Sequence, residues 1–202
     1  MITNLIILII SSLTISSSNG AFIGEVVYTG GNELSTVSFK LFNQKGVMLY
    51  HIIRPEAITF FISDSGVVFA TNEQMLYLYE LSGNIIPLKR LNYPNGFGFT
   101  PDNTLFLASD RDGIYAYSMS GSLIYQFYPG RLFASTDRAK IVAIVSSDTL
   151  FYYREGNLKF LKLLQTPFVR KIDLSEDGTI IHLELPDTTE KILINVNKTL
   201  ED

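Results

Sequence analysis

The chain has 202 residues and a formal charge of −4; 47% of it is apolar and 18% charged, which excludes global disorder and leaves ample material for a core. Its sixteen Lys and Arg are scattered, with Lys89-Arg90 and Arg170-Lys171 the tightest groups, and this argues against nucleic acid as a partner, because phosphate recognition needs clustered cations. The absence of cysteine excludes disulfides, thiolate metal sites and cysteine nucleophiles. Eleven Tyr and fourteen Phe, with no Trp, tilt the composition toward β-structure.

At the N-terminus, Leu5 to Ile10 is an unbroken apolar run that Leu13 and Ile15 extend. Small residues follow, from Ser16 to Ala21. This is the pattern of a secretion signal over 1–20, with Ser18 and Gly20 at the small positions of a cleavage site. The n-region carries no Lys or Arg, and an uncleaved anchor or a buried first strand are the other readings. The run is short for a membrane span, which takes about 20 residues. No later segment reaches that length, so no stable transmembrane span is expected once a signal is removed.

From residue 21 onward the chain repeats. An Asp recurs in a polar turn between apolar runs, at Asp64, Asp102, Asp137 and Asp177, in steps of 38, 35 and 40 residues. A second turn follows each at a constant 19 residues: Gly83, Gly121, Gly156 and Val196. An earlier copy stands at Lys45-Gly46. A fixed period of this size signals a repeat architecture.

Each unit reads as four short strands. The first begins at its second strand, with strands near Glu25–Tyr28, Ser35–Phe42 and Val47–Ile53. Next come Ala57–Ile62, Val67–Thr71, Met75–Leu81 and Ile85–Leu91. The clearest unit holds Gly96–Phe99, Leu105–Ser109, Ile114–Tyr117 and Leu123–Tyr128, joined by short turns of Gly, Asn and Asp that suit antiparallel neighbours. Leu132–Ser135, Lys140–Val145, Thr149–Arg154 and Leu158–Leu164 follow. The last unit has three strands, Val169–Leu174, Thr179–Leu185 and Lys191–Val196. The expected fold is therefore all-β: a β-propeller-like array of four-stranded antiparallel blades over 21–202, with units at about 23–53, 54–92, 93–128, 129–165 and 166–202 and almost no helix. The expected eighteen strands make about 4.5 blades. That count fits an open or truncated ring better than a closed five-bladed one.

The stretch Pro94-Asn95-Gly96-Phe97-Gly98-Phe99-Thr100-Pro101-Asp102-Asn103-Thr104-Leu105-Phe106-Leu107-Ala108 resembles the NHL-type blade. It is also similar to the YVTN and quinoprotein-like repeats of secreted propellers. The resemblance runs from Pro55 to the C-terminus, weakening away from the Pro94 unit, and Gly83, Gly121 and Gly156 match the glycine before the outermost strand. With no Trp and no Gly-His pair, the chain is not a typical WD40 protein. The resemblance implies a fold. Its relatives bind proteins, nucleic acids or carbohydrates, or are metal-dependent hydrolases, and fold alone does not choose among these.

The candidate chemistry is sparse. Asp110-Arg111-Asp112-Gly113 spaces two carboxylates as calcium loops do, but without further acidic ligands, and a plain turn is the better account. Asp64, Asp102, Asp137 and Asp177 are expected to cap backbone N–H groups of their turns. His51 and His182 lack metal or triad spacing. No G-x-S-x-G elbow, P-loop or H-E-x-x-H occurs. Asn197-Lys198-Thr199 fits a glycosylation sequon. The expected innermost strands, Ile58-Thr59-Phe60, Phe97-Gly98-Phe99, Leu132-Phe133-Ala134 and Arg170-Lys171-Ile172, are apolar apart from Arg170 and Lys171. No catalytic, metal or cofactor-binding residue is therefore assigned, and no cofactor. The expected function is a non-catalytic binding or scaffolding module for an unknown protein or small ligand, secreted, periplasmic or at the cell surface. The alternatives are a metal-dependent extracellular hydrolase or lactonase of propeller type, and a fragment of a larger propeller.

Overall fold

Runs rich in Val, Ile, Leu, Phe and Tyr, each four to nine residues long and separated by polar turns, can bury their backbone polar groups only by pairing with one another. The computed structural model describes residues 9–30, 35–55, 58–72, 74–164, 168–186 and 188–193. Among them are nineteen strands and a single 3-10 turn, Asp137–Ala139.

Five antiparallel sheets result, each in simple chain order. The first holds β1 (Ile9–Ser16), β2 (Phe22–Gly30), β3 (Ser35–Asn43) and β4 (Met48–Arg54). The second holds β5 (Thr59–Ile62), β6 (Val68–Thr71), β7 (Met75–Tyr79) and β8 (Ile85–Arg90). The third holds β9 (Gly96–Phe99), β10 (Leu105–Ser109), β11 (Ile114–Ser118) and β12 (Leu123–Phe127). The fourth holds β13 (Leu132–Ser135), β14 (Ile141–Ser146), β15 (Thr149–Arg154) and β16 (Asn157–Leu163). The fifth holds β17 (Lys171–Leu174), β18 (Ile180–Glu184) and β19 (Thr189–Leu193). The expected all-β array of four-stranded blade-like sheets is what the chain forms. The last predicted strand, Lys191–Val196, is shifted to β19; its tail, the turn at Val196 and the Asn197 sequon lie outside the described residues.

The first repeat differs from expectation. It starts one strand earlier, at β1, inside the segment that carries the secretion-signal pattern. All eight residues of β1 pair with β2, from Ile9 opposite Gly30 to Ser16 opposite Ile23. An apolar run before small residues suits a strand and its turn as well as it suits a signal, so periodicity could not separate the two.

One turn recurs between the first two strands of every sheet. It starts at Ser17, Ser63, Thr100, Thr136 and Ser175. Each of these donates its backbone N–H across to the start of the next strand, as from Thr100 to Leu105 O (2.9 Å) and from Ser175 to Ile180 O (3.0 Å). Each also accepts from the residue three places on. That fourth residue always has positive φ: Gly20 (70°), Gly66 (81°), Asn103 (56°), Ala139 (49°) and Gly178 (70°). Where the turn has its full length the hydroxyl adds a cap. Thr100 Oγ1 accepts from Leu105 N–H at 3.1 Å and Ser175 Oγ from Ile180 N–H at 2.9 Å. The repeat is thus keyed on the Ser/Thr and the left-handed residue. The four Asp are not equivalent: Asp64 and Asp137 are second in their turns, while Asp102 and Asp177 are third.

The outer hairpins are equally regular. Asn43–Val47, Glu80–Asn84 and Ser118–Ser122 are the same loop, closed by glycine at the left-handed position (Gly46 at 74°, Gly83 at 84°, Gly121 at 83°). Glu155-Gly156 is a two-residue turn with both φ positive, 50° and 79°, the geometry that matches strand twist. Each four-stranded sheet carries one register shift in this hairpin, as between Leu41 and Phe42 and between Ala116 and Tyr117. Such bulges increase local twist.

The chain divides into two compact units, Met1–Leu91 and Asn92–Asp202. In the first, two sheets pack face to face around Phe39, Leu41, Phe60 and Ile62, with the Phe39 and Phe60 rings stacked 4.2 Å apart. In the second, the β13–β16 sheet is buried on both faces. Val142, Ile144 and Tyr153 pack toward the third sheet, and Ala143, Val145 and Tyr152 toward the fifth. That is why β14 reads as a continuous apolar run rather than an alternating one.

Phe60→Ala should destabilise the first unit by about 3–5 kcal/mol, measured by urea denaturation. Burial pushes the Asp102 carboxyl up, but hydrogen bonds from Thr100, the Arg138 N–H and Thr104 outweigh it and hold it below the usual range. Asp177 is lowered chiefly by the Ser175 hydroxyl, then by Thr179. A carboxylate depressed in the folded state stabilises above its unfolded pKa, and that contribution is lost as pH falls through the folded value. Stability should therefore drop below about pH 4, and the drop should be shallower in the Asp102→Asn/Asp177→Asn double variant.

Candidate functional site

The carboxylates singled out in the sequence are held in turns. Asp102 accepts from Thr100 Oγ1 (2.7 Å), Thr104 Oγ1 (2.8 Å) and the Arg138 N–H of the neighbouring sheet's turn (3.1 Å). The Arg138 guanidinium lies 3.8 Å away. Asp177 accepts from Ser175 Oγ (2.6 Å) and the Thr179 N–H (3.0 Å). Asp64 accepts from Ser18 Oγ (2.8 Å) and the Asn19 N–H (2.9 Å) in the first sheet's turn. Asp137 opens the 3-10 turn and is exposed.

The histidines are in different sheets. His51, on β4, is exposed and bonds through Nε2 to Ser38 Oγ at 2.8 Å. His182, on β18, is half-buried opposite Asp173. Lys89 and Arg90 close β8. The Arg170 N–H donates to Glu184 O, and Lys171 pairs with Asp173 at 2.7 Å, which raises the Lys171 pKa. Among the described residues, no three His, Asp or Glu side chains gather as a metal site would require.

The pair in the calcium-like loop is placed most tellingly. Asp110 is wholly buried, and its carboxylate turns away from solvent onto backbone. Oδ1 accepts from the N–H groups of Asp112 (2.8 Å) and Gly113 (3.0 Å), and Oδ2 from Asn92 (3.1 Å). Asp112 accepts from the Asn92 side-chain amide at 3.1 Å. The two carboxylates fix a turn. Asn72, at the matching place in the second sheet, caps Gln74 and Met75 in the same way. The charges of Asp110 and Asp112, after burial, push the Tyr115 hydroxyl up to about 12.

Beside this turn lies a groove that sequence motifs did not reveal. It opens between the third and fourth sheets, at the end where β9 and β13 begin and β10 and β14 finish, and encloses about 810 Å³. One wall is the segment entering β9, with Tyr93, Pro94 and Asn95. The other is the segment entering β13, with Pro129, Gly130 and Arg131. Leu132, Arg111, Ser146 and Ser147 complete it.

Buried groups at the end of β10 lock both walls. The Ser109 hydroxyl, fully buried, lies 2.7 Å from Asn95 Oδ1 and 3.0 Å from Arg131 O. The Asn95 N–H donates to Ser109 O at 2.9 Å, and the Arg111 N–H to Asn92 O at 2.8 Å. Gly130 packs directly on this turn: a Cβ there would overlap the Asp110 carbonyl oxygen and sit 2.7 Å from Gly113 N. The Tyr153 hydroxyl donates to Tyr128 O from the fourth sheet. The signal available in the sequence was the recurrence of Tyr-Pro before two inner strands, Tyr93-Pro94 and Tyr128-Pro129. Nothing in that pair announces that Arg111 would join them.

No protein-family model matches the chain, and no curated protein is significantly similar to it.

Ser109→Ala should cost about 1–2 kcal/mol through the two lost partners, and Gly130→Ala about 3 kcal/mol through overlap with backbone, both read by thermal and urea unfolding.

Proposed function

We propose that this chain is a non-catalytic binding or scaffolding module, built as an NHL-like propeller arc or imperfectly closed ring, that takes a protein or small ligand in the groove between its third and fourth sheets. The groove carries this reading. It is concave, of the size of ordinary ligand sites, and its walls are fixed in advance by the buried Ser109 and Asp110. A site whose walls need no reordering loses little entropy on binding. Its lining offers guanidinium, amide and hydroxyl donors, which suits recognition. It presents no carboxylate or imidazole to activate water or hold a metal.

Display outside the cell or at its surface belongs to the same proposal and rests on the apolar run and small residues at 1–20. The pairing of β1 competes with removal of that segment, since cleavage after Gly20 would leave the first sheet with three strands. Among the described residues, no helix is long and apolar enough to cross a membrane.

Three measurements test the proposal. Fragments screened by NMR should shift the amides of Asn95, Arg111 and Arg131 together; hits confined to other surfaces would remove the groove from the proposal. Hydrolysis of ester, lactone and phosphodiester substrates with added calcium, zinc or manganese should stay at background, and metal-dependent turnover would overturn the non-catalytic reading. Export is checked by fractionation with intact-mass analysis: a soluble cytoplasmic product retaining Met1 would refute it.

A further inference from the structure

We infer that this chain pairs with a second copy of itself, edge to edge along β12 of the third sheet. The site is separate from the groove and rests on a different observation. β12 is the last strand of its sheet and is hydrogen-bonded to β11; among the described residues no strand pairs with its other edge. A free edge is a row of N–H and C=O groups open to any strand offered to it, so edges are normally blunted with charge or proline. The other outer strands follow that rule. β4 ends on Arg54, β8 contains Pro87, Lys89 and Arg90, β16 contains Lys159 and Lys162, and β19 contains Lys191. β12 reads Leu-Ile-Tyr-Gln-Phe and has neither device. The gap is wider than the strand: from Gly113 through Gly130 no residue is charged, in a chain that is 18% charged. The whole β11–β12 hairpin is therefore bare. It is also apolar where it meets solvent. Leu123 is 50% exposed, Ile124 46%, and Tyr128, just beyond the strand, 55%.

What fits this edge is another β12. Two copies carry the same net charge of −4, and the uncharged hairpin is where they meet without setting like charges opposite each other. The adjoining hairpin, which Tyr125 covers at Gly156, carries Arg154 and Glu155, opposite in sign. The register shift between Ala116 and Tyr117 lies toward the turn and leaves Tyr125–Phe127 in regular pairing with β11. Antiparallel pairing of two copies about Gln126 sets Tyr125 against Phe127 and Ile124 against Tyr128. Aromatic and branched residues opposed in this way stabilise sheets. The same operation on β16 brings the lysines of both copies to the joint. Because β11 occupies the inner edge of β12, one pairing uses up the free edge of each copy. The assembly closes as a two-fold dimer and does not grow.

Sedimentation equilibrium of the full chain should show monomer and dimer exchanging within about 1–100 µM, the range of a small interface. Ile124→Lys should weaken the dimer at least about tenfold by placing a cation at the joint, with far-UV circular dichroism and Tm unchanged because the side chain is already exposed. Leu161→Lys, on β16, should leave the equilibrium as it is. The chain has no cysteine, so in Gln126→Cys a short bismaleimide can join two copies only through that position, and it should yield a covalent dimer. A monomer throughout the range would overturn the pairing. So would species larger than a dimer, or a dimer that Leu161→Lys dissolves and Ile124→Lys does not. A dimer that the Gln126→Cys variant fails to trap is joined elsewhere, and the inference fails. Should Ile124→Lys lower the Tm, the crosslink decides alone.

Discussion

A short sheet buried on both faces cannot exist alone, and most of this structure follows from that constraint. The β13–β16 sheet shows it best. Successive residues of β14 point to opposite sides, and both sides are core: Val142 and Ile144 against one neighbour, Ala143 and Val145 against the other. The outermost strands escape the constraint. β16 exposes Leu158, Leu161 and Leu163 alongside its lysines. Burial thus falls from the second and third strands of a sheet to its outer edge. The core is a set of layers between sheets rather than one central mass.

Layered cores of this kind place their demands on the turns. When neighbouring sheets pack face to face, the ends of the strands are brought close, and every turn must close without splaying its strands. The left-handed residue in the recurrent first turn, the glycine of the outer hairpins and the Glu155-Gly156 turn all meet this need. Even Ala139 adopts a positive φ to keep the geometry, with its methyl buried in the layer between the third and fourth sheets. The groove grows from the opposite ends of the same strands. There the segments entering β9 and β13 are free of hairpin geometry, and Ser109 and Asp110 fix them instead.

Much of the fold was legible in the sequence. Turn chemistry at Pro101-Asp102-Asn103 and Ser120-Gly121, together with a constant internal interval, located most strands to within two residues. Two features misled. Asp is the conspicuous landmark, yet the turn depends on the Ser/Thr that caps it and the residue that tolerates positive φ, so an alignment on Asp puts Asp64 and Asp102 in false register. Strand β1 was hidden because apolarity followed by small polar residues describes an export signal and a first hairpin equally. The site was less legible than the fold. Arg111 and Arg131 are distant in sequence and carry no motif. They become neighbours in one groove only because Ser109, two residues before Arg111, binds the segments on which its walls are built.

The turns of adjacent sheets are also joined to each other, and not uniformly. Asp102 reaches forward, to the backbone of Arg138 in the sheet that follows it. Asp64 reaches back, to Ser18 and Asn19 in the sheet before. The sheets look like copies, but the joints between them are individual. A repeat duplicated or transplanted to another place in the array would carry a carboxylate whose direction of reach, forward or back, need not match its new neighbour. The order of the sheets is therefore written partly in these joints, and not only in the strands themselves.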